Sequence, residues 1–131
     1  MNFQIDTRNQ QPIYQQVRDQ VVFGIASKEL APGENLPSVR GLAAELGINF
    51  HTVNKGYTML CDEGYIEMDR RKGAVIVDEM AAGEDYKKNL AEQLKILSAE
   101  AICRGVNINE FLNHCITEYK NVSGGKDKTG L

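Results

Sequence analysis

The stretch from Ser38 to Asp62 leaves its chain few ways to fold. Val39, Leu42, Ala43 and Leu46 are spaced by three, one and three residues. That is one apolar face of a helix barely two turns long. Ser38 ahead of them suits a helix N-cap, and Gly47 behind them suits the left-handed residue that ends a helix. Ile48 follows as an apolar connector. Asn49 can then cap a second helix whose inward face is Val53, Tyr57, Leu60 and Cys61. Helices of this length are marginal in isolation and draw their stability from packing. Two of them joined by so tight a turn must bury their apolar faces together, in the helix-turn-helix pattern.

The flanking residues supply the rest of a core. Ile13, Val17, Val21 and Ile25 recur every four residues, with Tyr14 and Val22 beside them. The spacing predicts a helix over roughly residues 11–29, with Pro12 in its first turn, where a missing N–H costs nothing. The segment LAPGENLPS, residues 30–38, holds two prolines and a glycine and reads as a loop. After Gly64 the period changes. YIEMD (65–69) alternates apolar and polar, and AVIVD (74–78) does so less cleanly. RRKG lies between them, and Gly73 can take the positive φ a hairpin needs. Three helices followed by a hairpin make a winged helix, so the expected fold is mainly α with a small β-hairpin.

A third section begins near residue 80. MAAGED is a linker or a helix start. Leu90, Leu94, Leu97 and Ala101 form a helical stripe that Gly105 ends. Asn107 with Glu110 three residues on resembles a capping box. Ile108, Phe111, Leu112, Cys115, Ile116 and Tyr119 then give the cleanest apolar stripe in the chain. Two such helices are too short to close a core of their own. In a symmetric dimer they would cover each other; the alternative is that they fold back on the winged part of their own chain. The expected organisation is a winged helix-turn-helix over 1–78, a two-helix C-terminal dimerisation segment over 79–121, and a disordered Gly/Lys-rich tail over 122–131.

Several function classes find no support. No apolar run approaches the roughly 18 residues of a membrane span. The opening MNFQIDTRNQQ lacks the apolar core of a signal peptide, so a cytoplasmic location is expected. Cys61, Cys103 and Cys115 are odd in number and widely spaced, which argues against a disulfide framework or a zinc site. They read as small buried hydrophobes. Neither a nucleophile–base constellation nor a Gly-rich phosphate loop is present, so neither an enzyme nor a cofactor is expected. A net charge of −3 gives no overall pull toward nucleic acid, so any such surface must be local.

That surface has candidates. In a helix-turn-helix the second helix enters the DNA major groove and its N-terminal residues meet the bases. Asn49, His51, Thr52, Asn54 and Lys55 crowd the start of the second helix. They are polar groups able to bond base edges or phosphates. Alone, Asn49 is an N-cap, His51 a surface residue and RRK a solvated turn. Together with Arg40 near the start of the preceding helix and a basic hairpin, they suggest a DNA-facing surface.

The ordered motifs PIYQQVRDQV, L-x-PGE-x-LPSVR-x-LA-x-x-LG and N-x-x-TV-x-K-x-Y-x-x-L-x-x-EGYI, then a basic residue before Gly, resemble the DNA-binding domain of the GntR family of bacterial transcription regulators. The resemblance covers about Gln11 to Val77. The short two-helix remainder is similar to the YtrA subfamily, whose C-terminal part serves dimerisation. The resemblance implies a sequence-specific regulator, a repressor of an inverted-repeat operator in double-stranded DNA, acting as a homodimer. It implies that Ser38 and Arg40 contact phosphate and base, that Thr52 is the recognition-helix threonine, and that Asn49, His51, Asn54 and Lys55 fill neighbouring positions. Gly73 matches the wing glycine, with Arg71 and Lys72 beside it. Phe50, where the family often has Pro or Arg, and His51, for a common Asn or Thr, depart from the pattern. A small-molecule effector, unnamed by the sequence, would bind at the dimer interface or between the helices and the winged part. The competing reading is a winged-helix protein-interaction module that has lost DNA binding.

Overall fold

Four of the five helices begin on residues whose side chains or ring geometry favour a start. The computed structural model describes residues 2–124. Its elements are α1 (Ile13–Ala26), α2 (Val39–Leu46), α3 (Phe50–Asp62), β1 (Ile66–Asp69), β2 (Gly73–Ile76), α4 (Gly83–Cys103) and α5 (Ile108–Val122). Pro12 stands at the N-cap of α1, one position ahead of the first turn. Its carbonyl accepts from the N–H groups of Gln15 and Gln16, both at 3.1 Å. The Ser38 hydroxyl oxygen caps α2, accepting from Gly41 N at 3.0 Å. Asn49 caps α3 through His51 N at 2.7 Å, and Asn107 caps α5 through Glu110 N at 2.9 Å.

Helix α1 is shorter at both ends than residues 11–29. It stops at Ala26 because Lys28 adopts a left-handed φ of 69°, which turns the chain so that Leu30 N bonds Gly24 O and the Leu30 side chain enters the core. The loop that follows also does more than connect. Asn35 bridges Val75 in antiparallel fashion, with Leu36 N bonded to Ala74 O and Ile76 N to Glu34 O. The wing is therefore a hairpin with a short third edge. β1 and β2 pair from Ile66 with Ile76 to Asp69 with Gly73, so Gly73, with φ of 80°, is the first residue of the second strand. Tyr65, Val77 and Asp78 lie outside the strands.

The chain divides into two compact units, Met1–Met80 and a second beginning at Ala81. The core of the first gathers Val17 and Val21 from α1, Leu42 and Ala43 from α2, and Val53, Tyr57 and Leu60 from α3. Ile66, Ala74 and Ile76 of the hairpin complete it. Gly56 lets α1 and α3 touch: a Cβ there would lie 2.9 Å from the Tyr14 carbonyl oxygen and 3.3 Å from Val17. Arg18 locks the same pair of helices with a two-pronged bond to Glu63, at 2.7 and 3.1 Å. Cys61 is half-buried against this core.

The polar N-terminal arm packs as well. Phe3 is buried in the core. Gln16 side-chain bonds to Asp6 N, Asp6 O and Gln11 O, and Gln20 bonds the backbone of Gln4, hold the arm against α1. Glutamine amides at i and i+4 here do for the arm what a neighbouring strand would do.

In the second unit no described residue of α4 or α5 is buried in the single chain. Leu90, Leu94, Leu97, Ile102, Ile108, Leu112 and Tyr119 are all exposed, as are Cys103 and Cys115, contrary to their reading as buried hydrophobes. MAAGED resolves into a linker and a helix start at Gly83. Val122 closes α5 and Ser123 follows it. The rest of the expected tail, residues 125–131, lies outside the described residues. No described helix is long and apolar enough to cross a membrane.

Candidate nucleic-acid interface

The tight turn at Gly47 joins the end of α2 to the start of α3, and Arg40 in the first turn of α2 lies over Phe50 in the first turn of α3. Ser38, Arg40, Asn49, His51, Asn54 and Lys55 are exposed, and Thr52 is half-buried. Val53 and Tyr57 face the core from the opposite side of α3, fully buried. The Tyr57 hydroxyl donates to the Pro37 carbonyl at 2.8 Å, which ties the middle of α3 to the residue before the α2 cap.

Two of the expected contact residues are already employed by their own helices. The Ser38 oxygen and the Asn49 carbonyl oxygen are caps. Each keeps donors: a hydroxyl proton on Ser38 and an NH₂ group on Asn49. Neither α2 nor α3 carries an acidic residue in its first turn, whereas α4 has Glu84 and Asp85 and α5 has Glu110. The positive ends of the α2 and α3 macrodipoles are thus left uncompensated, as favours a phosphate.

Arg40 and Lys55 each sit on an aromatic ring. The Arg40 guanidinium carbon lies 4.9 Å from the centre of the Phe50 ring, and Lys55 Nζ lies 3.9 Å from that of Tyr14. Phe50 also meets His51 edge to face, centroids 5.5 Å apart at 81°. The sequence gives no direct sign of these pairings, since Tyr14 and Lys55 are far apart along the chain and Phe50 reads as an oddity in a polar turn.

The wing tip is built from both sides. Asp69 Oδ1 accepts from the N–H groups of Arg71 at 2.7 Å and Lys72 at 3.0 Å. These bonds hold its carboxyl below the usual carboxylate range, with the Lys72 charge adding to the effect. Asn35 donates its side-chain amide to the Lys72 carbonyl. Sequence reading missed Asn35, which lies in the loop. It stands three residues before Ser38, so at most about 11 Å of chain separates the residue that holds the tip from the residue that starts α2. Arg71 and Lys72 are exposed and Gly73 is half-buried. No group of three or more His, Cys, Asp or Glu among the described residues could hold a metal.

Comparisons with known proteins bear on the family and the fold. The profile of the gntR family of bacterial regulatory proteins matches residues 13–76. Over 126 residues the chain is 38% identical to the HTH-type transcriptional repressor YtrA of Bacillus subtilis, covering 94% of this chain and 96% of that one. Among solved structures, YtrA from Sulfolobus acidocaldarius, described as a GntR-family transcription factor, superimposes with a TM-score of 0.63 at 37% identity, covering 77% of this chain and 97% of that chain. A protein of Listeria monocytogenes described as a transcriptional antiterminator superimposes with a TM-score of 0.89 at 26% identity, covering 99% of this chain and 98% of that chain.

Proposed function

Because the chain belongs to the GntR family of bacterial regulatory proteins, we propose that it is a cytoplasmic, homodimeric repressor of transcription that reads an inverted-repeat operator. Ser38, Arg40, Asn49, His51, Thr52, Asn54 and Lys55 form the surface that enters the major groove. Arg71, Lys72 and Gly73 of the wing grip the flanking backbone. The observation that carries this reading is the pair of uncompensated starts of α2 and α3, joined by Arg40 over Phe50, with the apolar side of both helices spent in the core.

The dimer rests on the second unit. Leu94, Leu97, Ala101, Phe111 and Cys115 line an open apolar groove of about 360 Å³. A second copy of α4 and α5 would remove it from water. Pairing also answers a need of recognition. A good bidentate base contact discriminates by about 1–3 kcal/mol, too little for one copy to select a site in a genome. Two copies reading half-sites about 34–36 Å apart multiply that selectivity.

The likeness to a described antiterminator makes RNA the natural comparator. An A-form duplex has a deep, narrow major groove that side chains cannot read, so a helix presenting short polar groups suits B-form DNA. The competing reading, a protein-contact module, draws on the net charge of −3. It leaves the exposed Arg40, Arg71 and Lys72 without a purpose.

Selection of bound sequences from a random pool of duplex DNA tests the proposal. It should enrich an inverted repeat, and the same sequence as an RNA duplex should bind only non-specifically. A folded, dimeric preparation that enriches no motif would count against operator recognition.

A further inference from the structure

The geometry points to Phe50 as a positioning residue for base recognition: its ring holds the Arg40 guanidinium of α2 against the first turn of α3, so that both helices present one preset reading surface. The inference rests on the reading of α2 and α3 as the operator-facing surface, and adds to it a residue that contacts no base itself.

Three observations carry it. Arg40 is exposed and forms no ion pair among the described residues; its interaction partner is the Phe50 ring at 4.9 Å. A guanidinium over an aromatic face gains cation–π attraction and stacks by its planar shape. Such a pair is worth most where a long side chain would otherwise sample many rotamers, because ordering it on binding is costly. Second, Phe50 is itself fixed. It is half-buried, packed against the core cluster, and follows directly on the Asn49 cap, so it gives Arg40 a rigid seat. Third, the same ring meets His51 edge to face at 5.5 Å and 81°. One side chain thereby orders two groups expected to face DNA. A purely structural apolar residue at this position would need neither contact. The bidentate fork that reads a guanine demands a set orientation, and Phe50 supplies it before DNA arrives.

The test uses the full chain and the duplex that the unmodified protein selects from a random pool, together with its single-base variants. Phe50→Leu keeps an apolar group against the core but removes the ring; Phe50→Tyr keeps the ring. Binding by Phe50→Leu should weaken about two- to thirty-fold, the range of a cation–π contact. The loss should fall on discrimination, at the base pair that Arg40→Ala also relaxes and at any that His51→Ala relaxes, rather than equally on all duplexes. Phe50→Tyr should restore it, and Arg40→Ala combined with Phe50→Leu should lose less than the two single losses multiplied together. Thermal unfolding confirms that each variant is folded. If Phe50→Leu loses affinity equally for all duplexes, or adds fully to Arg40→Ala, the positioning role is wrong and Phe50 is merely part of the core. If Arg40→Ala itself leaves binding and base preference unchanged, the operator-facing reading of α2 fails instead, and this inference falls with it.

Discussion

At the scale of single residues, the surface expected to meet DNA is held by side chains that never reach it. Tyr57 is the clearest case. It is 2% exposed, burial pushes its phenol up so that it stays protonated, and its one polar atom satisfies the Pro37 carbonyl. Removing the hydroxyl alone, in Tyr57→Phe, leaves that carbonyl without its partner. The expected cost is about 1–3 kcal/mol of stability, read by urea unfolding. No loss would mean that water replaces the bond freely. The groups legible in the sequence at this scale are those whose partners are near in the chain. Ser38, Gly47 and Asn49 are caps and turn residues, and a cap bonds an N–H two or three positions away. Phe50 beneath Arg40, Tyr14 beneath Lys55 and Asn35 beneath Lys72 pair across elements. No periodicity reports such contacts.

At the scale of elements, the same distinction explains the wing. Alternation and Gly73 reveal a hairpin, because strand period and turn chemistry are local. The third edge at Asn35 and the N-terminal arm on Gln16 and Gln20 are hidden, since neither has a pattern of its own. The tip depends on a titratable group. Asp69 has its pKa lowered by the two backbone donors it accepts from, so its contribution to the tip is complete above its unfolded-state value, near 3.9. It is lost as pH falls through the lowered folded value. NMR amide shifts of Arg71 and Lys72 should therefore move together only in that acid window. Movement at or above the ordinary carboxylate range would show that these bonds do not hold the tip in solution. Asp69 is exposed, so the effect belongs to the ordering of the turn rather than to the stability of the fold.

At the scale of the whole molecule, the two units divide the work by where their apolar surface goes. The first spends it internally, on a core drawn from all its elements. The second leaves Leu90, Leu94, Leu97, Ile108, Leu112 and Tyr119 exposed, a surface suited to a second copy. The stripes of α4 and α5 are plain in the sequence. What covers them is not, because a helical period reports an apolar face and not its partner. Under the proposed operator reading, doubling the surface would make a base contact by Arg40 count twice, about 2–6 kcal/mol over two half-sites. The two wings would add phosphate contacts that act on all sequences alike. Both contributions meet in one experiment: the affinity of the Arg40→Ala, Lys72→Ala double variant for the selected duplex, followed against salt, beside the unmodified protein and with circular dichroism to verify the fold. Binding reduced to the level of unrelated DNA, with a shallower salt slope and an unaltered spectrum, is the predicted result. Unchanged affinity and slope in the folded double variant would contradict the account at its centre.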